Sequence, residues 1–396
     1  MSVLPVLIQH FFYNNKILKI TVLMKEYFRN RFRLTPKALS SLYSGGFVLK
    51  LSMIAQRLKL SESTVSRALN DYQDIATETK ALVRKTAAEL GYVPNMHARR
   101  LASGKADTIA FVMPRTDGQL NAAFLGELMT GMAEALTARG WDLSVLVPRS
   151  LDEELAMYRN ISRTRHVSGL IISRTLTKDI RFQFLKELGI PFVAHGRSLD
   201  SDQAAWIDVD NLAAFRDMAA HLIAFGHRRI GHIGGPDTYN FAVERAKGWR
   251  TALEENGISA TPDLLEVADL SFNGGEAAMR RLLALEDPPT AVCCISDVVA
   301  IGAMRALRAH GLVPGQEVSV VGYDGLDIGA WLEPPLSTMK QPLQSAGQQL
   351  VKIVTSMVEK GDMPADHQKL YRATLVRRGT DNPPSADWPA RSRSKS

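Results

Sequence analysis

From Asp107 onward, short apolar runs alternate with longer amphipathic ones, and this alternation is what most limits the fold. "DTIAFVMP", "DLSVLVP", "VSGLIIS", "IPFVAHG", "RIGHIGG", "TAVCCIS" and "VSVVGYD" read as strands. Between them lie "GELMTGMAEALTARG", "LDEELAMYRNISRTR", "NLAAFRDMAAHLIAFG", "AVERAKGWRTALEENG", "GGEAAMRRLLAL" and "DVVAIGAMRALRAHG". Strands alternating with helices of about 10–15 residues build βαβ units and parallel sheets. About nine or ten such units exceed one doubly wound sheet, so the pattern predicts two similar α/β subdomains with a cleft between them.

The 396 residues allow two or three domains, and 45% hydrophobic against 22% charged residues supports large cores. No window reaches about 18 apolar residues, so no membrane span is expected. Cys293 and Cys294 are neighbours, which disfavours a disulfide between them, and no metal-ligand spacing occurs. Charge is uneven. Residues 1–49 hold seven Lys/Arg and one acid, residues 50–105 ten and five, and the remainder is mildly acidic. A basic front end on an acidic body points to a polyanion partner. The opening "MSVLPVLIQHFFYNNKILKITVLM" has no basic stretch before its apolar part and no small-residue cleavage site. It reads as an over-extended start or a basic arm rather than a signal peptide. Residues 379–396 are rich in Pro, Ser and Arg and read as a disordered tail.

Between them, at residues 50–94, the apolar period is helical. Ile54, Ala55 and Leu58 form one face; Val65, Ala68 and Leu69 a second; Leu82, Val83, Thr86 and Leu90 a third. Ser61 and Thr77 are placed as N-caps, and Gly91 ends the third helix. "MIAQRLKLSESTVSRALN" is therefore helix, tight turn, helix. The outer face of its second helix offers Glu62, Ser63, Ser66 and Arg67. Small polar side chains and one arginine let a helix lie in a major groove, where Arg pairs with guanine.

"STVSRALN", "AAELGYVPN" and "ARRLASGK" resemble the LacI/GalR family of bacterial transcription regulators. So do "FGHRRIGHIGGP", "RAKGW", "CISDVVAIGAMRALRAHG", "VSVVGYDG" and "PPLSTMKQP", in the same order. The resemblance covers about residues 50–380. It implies an all-α helix-turn-helix domain at 50–94 and a hinge helix at 95–105. A periplasmic-binding-protein-like α/β core of two parallel-sheet subdomains follows at 106–378. By the same resemblance Glu62, Ser63 and Arg67 read bases, while Thr64, Ser66 and Asn70 hold phosphates behind the Ser61 cap. In the hinge, Asn95 and Ala98 match, and Leu101 matches the leucine that wedges into the minor groove. Paired hinges imply a homodimer on a pseudo-palindromic operator, with a tetramer left open. One departure is Lys59, where the family usually has Gly in the turn; Lys59 must then accept an unusual φ.

In the body an enzyme reading finds no support. No Gly-x-Ser-x-Gly, Walker loop or metal cluster occurs, and His195 and His232 have no nucleophile partner by any sequence pattern. The resemblance instead implies a small sugar effector in the cleft, with no cofactor and no metal. Positions matching effector contacts are Phe124, Arg197, Arg245 and Asp297; Asn121 and Trp331 are added for their nearness to contact loops. An aromatic face suits the C–H side of a pyranose, and Arg and Asp suit its hydroxyls. "NAAF" in place of the family's "NPFF" is a second departure. The whole implies a cytoplasmic, nucleoid-associated repressor of carbohydrate-utilisation genes, without catalysis and without a membrane.

Overall fold

A computed structural model describes residues 51–69, 71–92, 106–113, 122–386 and 388. Two units emerge, Met1–Ser103 and Gly104–Ser396. In the first, helices α1 (Leu51–Leu58), α2 (Glu62–Leu69) and α3 (Thr77–Leu90) surround one small core. Ile54, Val65, Ala68 and Val83 are fully buried there, with Leu58, Leu60, Leu69 and Leu90 packed around them. The α1–α2 turn closes at Lys59, whose φ of 54° is the left-handed value expected of a residue standing in a glycine's place. Ser61 Oγ accepts from the Thr64 backbone N–H at 3.1 Å and so caps α2. Thr77 is not the cap of α3. Ala76 occupies that position without a side-chain bond, and Thr77 is the first helical residue. The helix ends on Gly91 at φ 65°.

The second unit holds two six-stranded sheets. Sheet 1 runs β11-β5-β4-β3-β1-β2 and is parallel throughout. Its strands are β1 (Thr108–Val112), β2 (Asp142–Leu146), β3 (Gly169–Ser173), β4 (Phe192–His195), β5 (Ala205–Val209) and β11 (Gln368–Tyr371). Sheet 2 runs β12-β10-β9-β8-β6-β7, with only the β10–β12 pair antiparallel. It comprises β6 (Ile230–Gly234), β7 (Leu265–Val267), β8 (Ala291–Cys294), β9 (Ser319–Asp324), β10 (Ser337–Lys340) and β12 (Thr374–Val376). Strands β1, β3, β6, β8 and β9 are buried at every residue, as strands covered by helices on both faces must be.

Helices α4 (Ala122–Thr137), α5 (Leu151–Thr164) and α6 (Ile180–Glu187) follow the first strands. Sheet 2 receives α7 (Asn211–Ala224), α8 (Asn240–Glu255), α9 (Phe272–Leu283) and α10 (Asp297–Ala309). The long α11 (Leu343–Lys360) returns to sheet 1, where Leu350, Val351 and Val354 join the core of α4. Three helix pairs approach through glycines. α7 and α8 meet at Gly248, where a Cβ would stand 2.1 Å from the Leu212 carbonyl. A Cβ on Gly302 would stand 2.0 Å from the Phe272 carbonyl, and one on Gly275 2.1 Å from that of Val299, so α9 and α10 touch backbone to backbone. Gly131 and Gly347 do the same for α4 and α11.

The strands the sequence did not reveal are β5, β7, β10, β11 and β12. They are short or polar: "STMK" of β10 has three buried residues yet reads as a loop. The tail expected to be disordered from Gly379 is instead bound over its described part. Thr380 Oγ1 donates to the Val320 carbonyl at 2.6 Å, Asn382 Nδ2 to that of Gly315 at 2.8 Å, and Trp388 Nε1 to that of Pro289 at 3.2 Å. Its donors satisfy backbone groups of β9 and of the loops before β8 and β9 rather than water, which composition alone does not convey. Cys293 and Cys294 are buried free thiols, pushed up by burial. Among the described residues, no helix is long and apolar enough to cross a membrane.

Candidate DNA-reading helix and ligand cleft

On α2, the Ser61 hydroxyl that caps the helix also contacts the hydroxyls of Ser63 and Thr64, at 3.1 and 2.8 Å. Ser61, Glu62, Ser63 and Arg67 are exposed, while Thr64 and Ser66 are half-buried at the edge of the same face. Val65 and Ala68, on the opposite side, have no exposed surface. The Arg67 guanidinium is ion-paired with Asp74 and lies 5.5 Å from the Tyr72 ring. Asp74 thus anchors the one cation on this face, so a base contact by Arg67 exchanges one acceptor for another. Asn70, Asn95, Ala98, Leu101 and Asn121 lie outside the described residues.

In the second unit the chain crosses between the sheets three times, after Val209, after Lys340 and after Tyr371. A cleft of about 950 Å³, its open mouth included, lies between the sheets at the carboxyl ends of their strands. Sheet 1 contributes Phe124 of α4, Ser173–Thr175 at the end of β3 and His195–Arg197 at the end of β4. Sheet 2 contributes Phe241 and Arg245 of α8, Ser296, Asp324 and the crossing residue Gln341.

One polar network runs from the mouth of this cleft to its back. Arg197 Nη2 donates to both oxygens of Glu244, at 2.9 and 2.7 Å, and Arg197 Nε donates to Asp208 at 3.0 Å. Asp208 also accepts from the Asn211 amide at 3.2 Å. The Asn211 oxygen accepts from Arg245 Nε at 2.8 Å, and Arg245 Nη1 donates to the Ile295 carbonyl at 2.7 Å. Arg245 is only 7% exposed, and its guanidinium sits 3.9 Å from the centroid of Tyr323 and 4.7 Å from that of Phe241. Burial pulls the Arg197 guanidinium down, but Asp208 and Glu244 outweigh it and hold the arginine cationic. Both carboxyls are nevertheless pushed up, because burial costs each more than one shared arginine returns. His195, tilted against Phe124 at 5.9 Å, is pulled down to about 4 by burial and then by Arg245.

Two of the expected contacts are not on the cleft wall. Asp297 is wholly buried, and its carboxylate accepts from Thr338 Oγ1 at 2.6 Å and from the Leu326 and Gly325 backbones at 2.7 and 3.0 Å. It fastens the turn after β9. Burial raises it to about 6 against those donors. Trp331 is 86% exposed and absent from the lining. The cleft carboxylate on this side is instead Asp324, at the end of β9, which accepts from Gln341 Nε2 at 2.8 Å. Its φ of 124° is a strained value for a residue with a side chain, of the sort kept at functional sites. Asp208, Asn211, Asp324 and Gln341 were missed from the sequence. The available signal was position, since the carboxyl ends of strands are where such folds hold ligands.

Among the described residues no group of three His, Cys, Asp or Glu could hold a metal ion. The cleft combines three arginines, two carboxylates and two amides with flanking aromatic rings. That set matches in-plane hydroxyls on a ring with an apolar face.

A model of bacterial regulatory proteins of the lacI family matches residues 50–95, and one of the periplasmic binding protein-like domain matches residues 219–380. The HTH-type transcriptional regulator AglR of Rhizobium meliloti (strain 1021) is 37% identical over 342 residues, covering 85% of this chain and 95% of the relative. CelR of Thermobifida fusca is 33% identical over 311 residues, covering 78% and 91%. Among solved structures, a CelR–cellobiose complex aligns with TM-score 0.65 at 30% identity, covering 84% of this chain and 99% of the other. The lac repressor dimer bound to operator and the anti-inducer ONPF aligns with TM-score 0.74 at 27% identity, with the same coverage.

Proposed function

The chain belongs to the lacI family of bacterial regulatory proteins and is a DNA-binding transcription regulator, and we propose that it represses carbohydrate-utilisation genes until a small sugar enters its cleft. The network Glu244–Arg197–Asp208–Asn211–Arg245 carries this reading, since it joins both lobes through groups that bind neutral hydroxyls. Arg197, Arg245 and Phe124 are the contacts retained from the sequence, and Asp208, Asn211 and Asp324 join them. Asp297 acts one step behind, by holding the turn that follows Asp324.

The lips of the cleft also touch. Leu176 and Tyr239 form an antiparallel bridge, and the Thr177 backbone N–H donates to the Thr238 carbonyl at 2.8 Å. A sugar with different affinity for the open and closed lobe arrangements shifts their balance. In this proposal that shift reaches the hinge at 95–105, where Asn95 and Ala98 help order the segment and Leu101 supplies the minor-groove wedge. Glu62, Ser63 and Arg67 read bases, and Thr64, Ser66 and Asn70 hold phosphates. Two copies bind a pseudo-palindrome, and the protein works in the cytoplasm at the nucleoid.

The test is a gel shift of the full chain on the DNA upstream of its own gene, at two salt concentrations and with a sugar panel. A specific complex that weakens steeply with salt and is released by one sugar is expected. No shift at low salt sinks the regulator mechanism; a shift that no sugar alters sinks the effector.

A further inference from the structure

Resting on the reading of Arg67 as a base contact, we infer that Asp74 sets how sharply α2 discriminates between DNA sequences: it withholds the Arg67 cation from phosphates and steadies the guanidinium for a guanine. The connection after α2 turns back toward that helix. The Tyr72 backbone N–H donates to the Arg67 carbonyl at 3.1 Å, and that of Ile75 to the Tyr72 carbonyl at 3.3 Å. Ile75 packs on the small core of the three helices. Asp74 is thereby stationed beside Arg67, held by a backbone bond on one side and an anchored isoleucine on the other. Its carboxylate pairs with Arg67 Nη2, and the Tyr72 ring lies 5.5 Å from the guanidinium carbon.

The pair is too exposed to be kept for stability. Both side chains are about half open to water, where an ion pair contributes little to the fold. Its effect on DNA is larger. Non-cognate DNA is held by cations that displace counterions from phosphates, in almost any geometry. An arginine neutralised by a carboxylate drops out of that count, and the carboxylate itself repels the phosphate backbone. A guanine edge differs, because O6 and N7 accept two N–H groups at a fixed spacing. A guanidinium has five in-plane donors, so two can turn to the base while another keeps the carboxylate beside it. Asp74 therefore costs affinity on every sequence and returns it where a guanine lies opposite Arg67, and specificity is that difference. Asp71 is the internal control. It stands in the same connection but pairs with Lys80 at 3.2 Å and Arg84 at 3.0 Å, both on α3. Its backbone is left-handed, with φ 64°, a conformation that asparagine also accepts.

The test uses the duplex that the full chain selects from a randomised pool, with a scrambled duplex of the same composition as the non-cognate probe. Fluorescence anisotropy over a salt series gives both affinities for each variant. Asp74→Asn should bind the scrambled duplex about fivefold more tightly, with a salt slope steeper by about one. It should gain little on the selected duplex, so the preference between the two falls about fivefold. Asp71→Asn removes the same charge without touching Arg67. It should tighten both duplexes in parallel and leave the preference within about twofold. In an Arg67→Ala background, Asp74→Asn should no longer alter the preference. A preference that Asp74→Asn leaves unchanged overturns the inference, as does one that Asp71→Asn lowers equally. Loss of both affinities together with a lower melting temperature would make Asp74 a structural residue and overturn it too. The reading of Arg67 is judged separately. If Arg67→Ala keeps the full preference, or the pool yields no selected sequence, that reading fails and takes the inference with it.

Discussion

Lowering the pH from 7.5 to 5 should destabilise the α/β body, and His232 should carry a defined share of the loss. His232 is wholly buried in sheet 2, with its Nδ1 2.9 Å from the Cys293 carbonyl. Its Nε2 has no hydrogen-bond partner, and its ring packs against Phe215 and Trp249 at 5.3 and 5.7 Å. Burial, with Arg245 nearby, pulls its pKa from 6.5 down to about 4. The unfolded chain therefore takes up the proton first. Stability is full above pH 6.5 and falls as the pH drops toward 4. Linkage over this interval gives a loss of about 2 kcal/mol at pH 5 from His232 alone. His195 adds in the same sense, and Asp297, raised to about 6, opposes it. Comparison with His232→Leu isolates the one term, since the other groups are common to both proteins. Urea unfolding followed by far-ultraviolet circular dichroism at the two pH values should show the wild type losing about 2 kcal/mol more than the variant, whatever the variant's stability at pH 7.5. Parallel losses would show that His232 is not held neutral by the fold, and the argument from burial would fail.

Arg245→Ala should abolish the sugar response and also destabilise the body by about 3 kcal/mol, because the Asn211 oxygen and the Ile295 carbonyl both lose a charged donor; titration and urea unfolding measure the two effects. Gly302→Ala should cost more than about 2 kcal/mol in the same unfolding assay, since its methyl group would stand 2.0 Å from the Phe272 carbonyl oxygen; an unchanged midpoint would mean that α9 and α10 are not in backbone contact. Arg67→Ala should weaken operator binding by about 1–3 kcal/mol in a gel shift and relax base preference at one position, while leaving sugar affinity unchanged.

Period and spacing made the front helices and the α/β alternation legible. Val65, Ala68 and Leu69 fall at helical intervals because one side of α2 must pack on α1, and that constraint is local. The buried parallel strands are equally plain, since both faces demand apolar residues. Arg197 and Arg245 were found by motif. Asp208, Asn211, Asp324 and Gln341 were not: Asp208, Asn211 and Gln341 lie beside crossings between the sheets and Asp324 at the end of β9, and no local motif marks either placement. Asp297 shows the converse. It follows a strand end directly, as a ligand contact would, but a turn from β9 and a threonine from β10 enclose its carboxylate. No local pattern signals that enclosure. Trp331 lies in the same region of sequence yet faces solvent.

The interleaved sheets also set an order of assembly. Strands β6 to β10 lie within residues 230–340, so five of the six strands of sheet 2 leave the ribosome as one continuous piece. Sheet 1 begins at residue 108 but receives its cover helix only with residues 343–360 and its edge strand only with residues 368–371. Until then Leu128 and Met132 of α4, fully buried in the finished protein, have no α11 to rest on. The lobe translated first therefore waits for its cover until most of its neighbour has been made, and a nascent chain exposes that apolar face throughout this interval, which makes α4 a natural landing site for a chaperone.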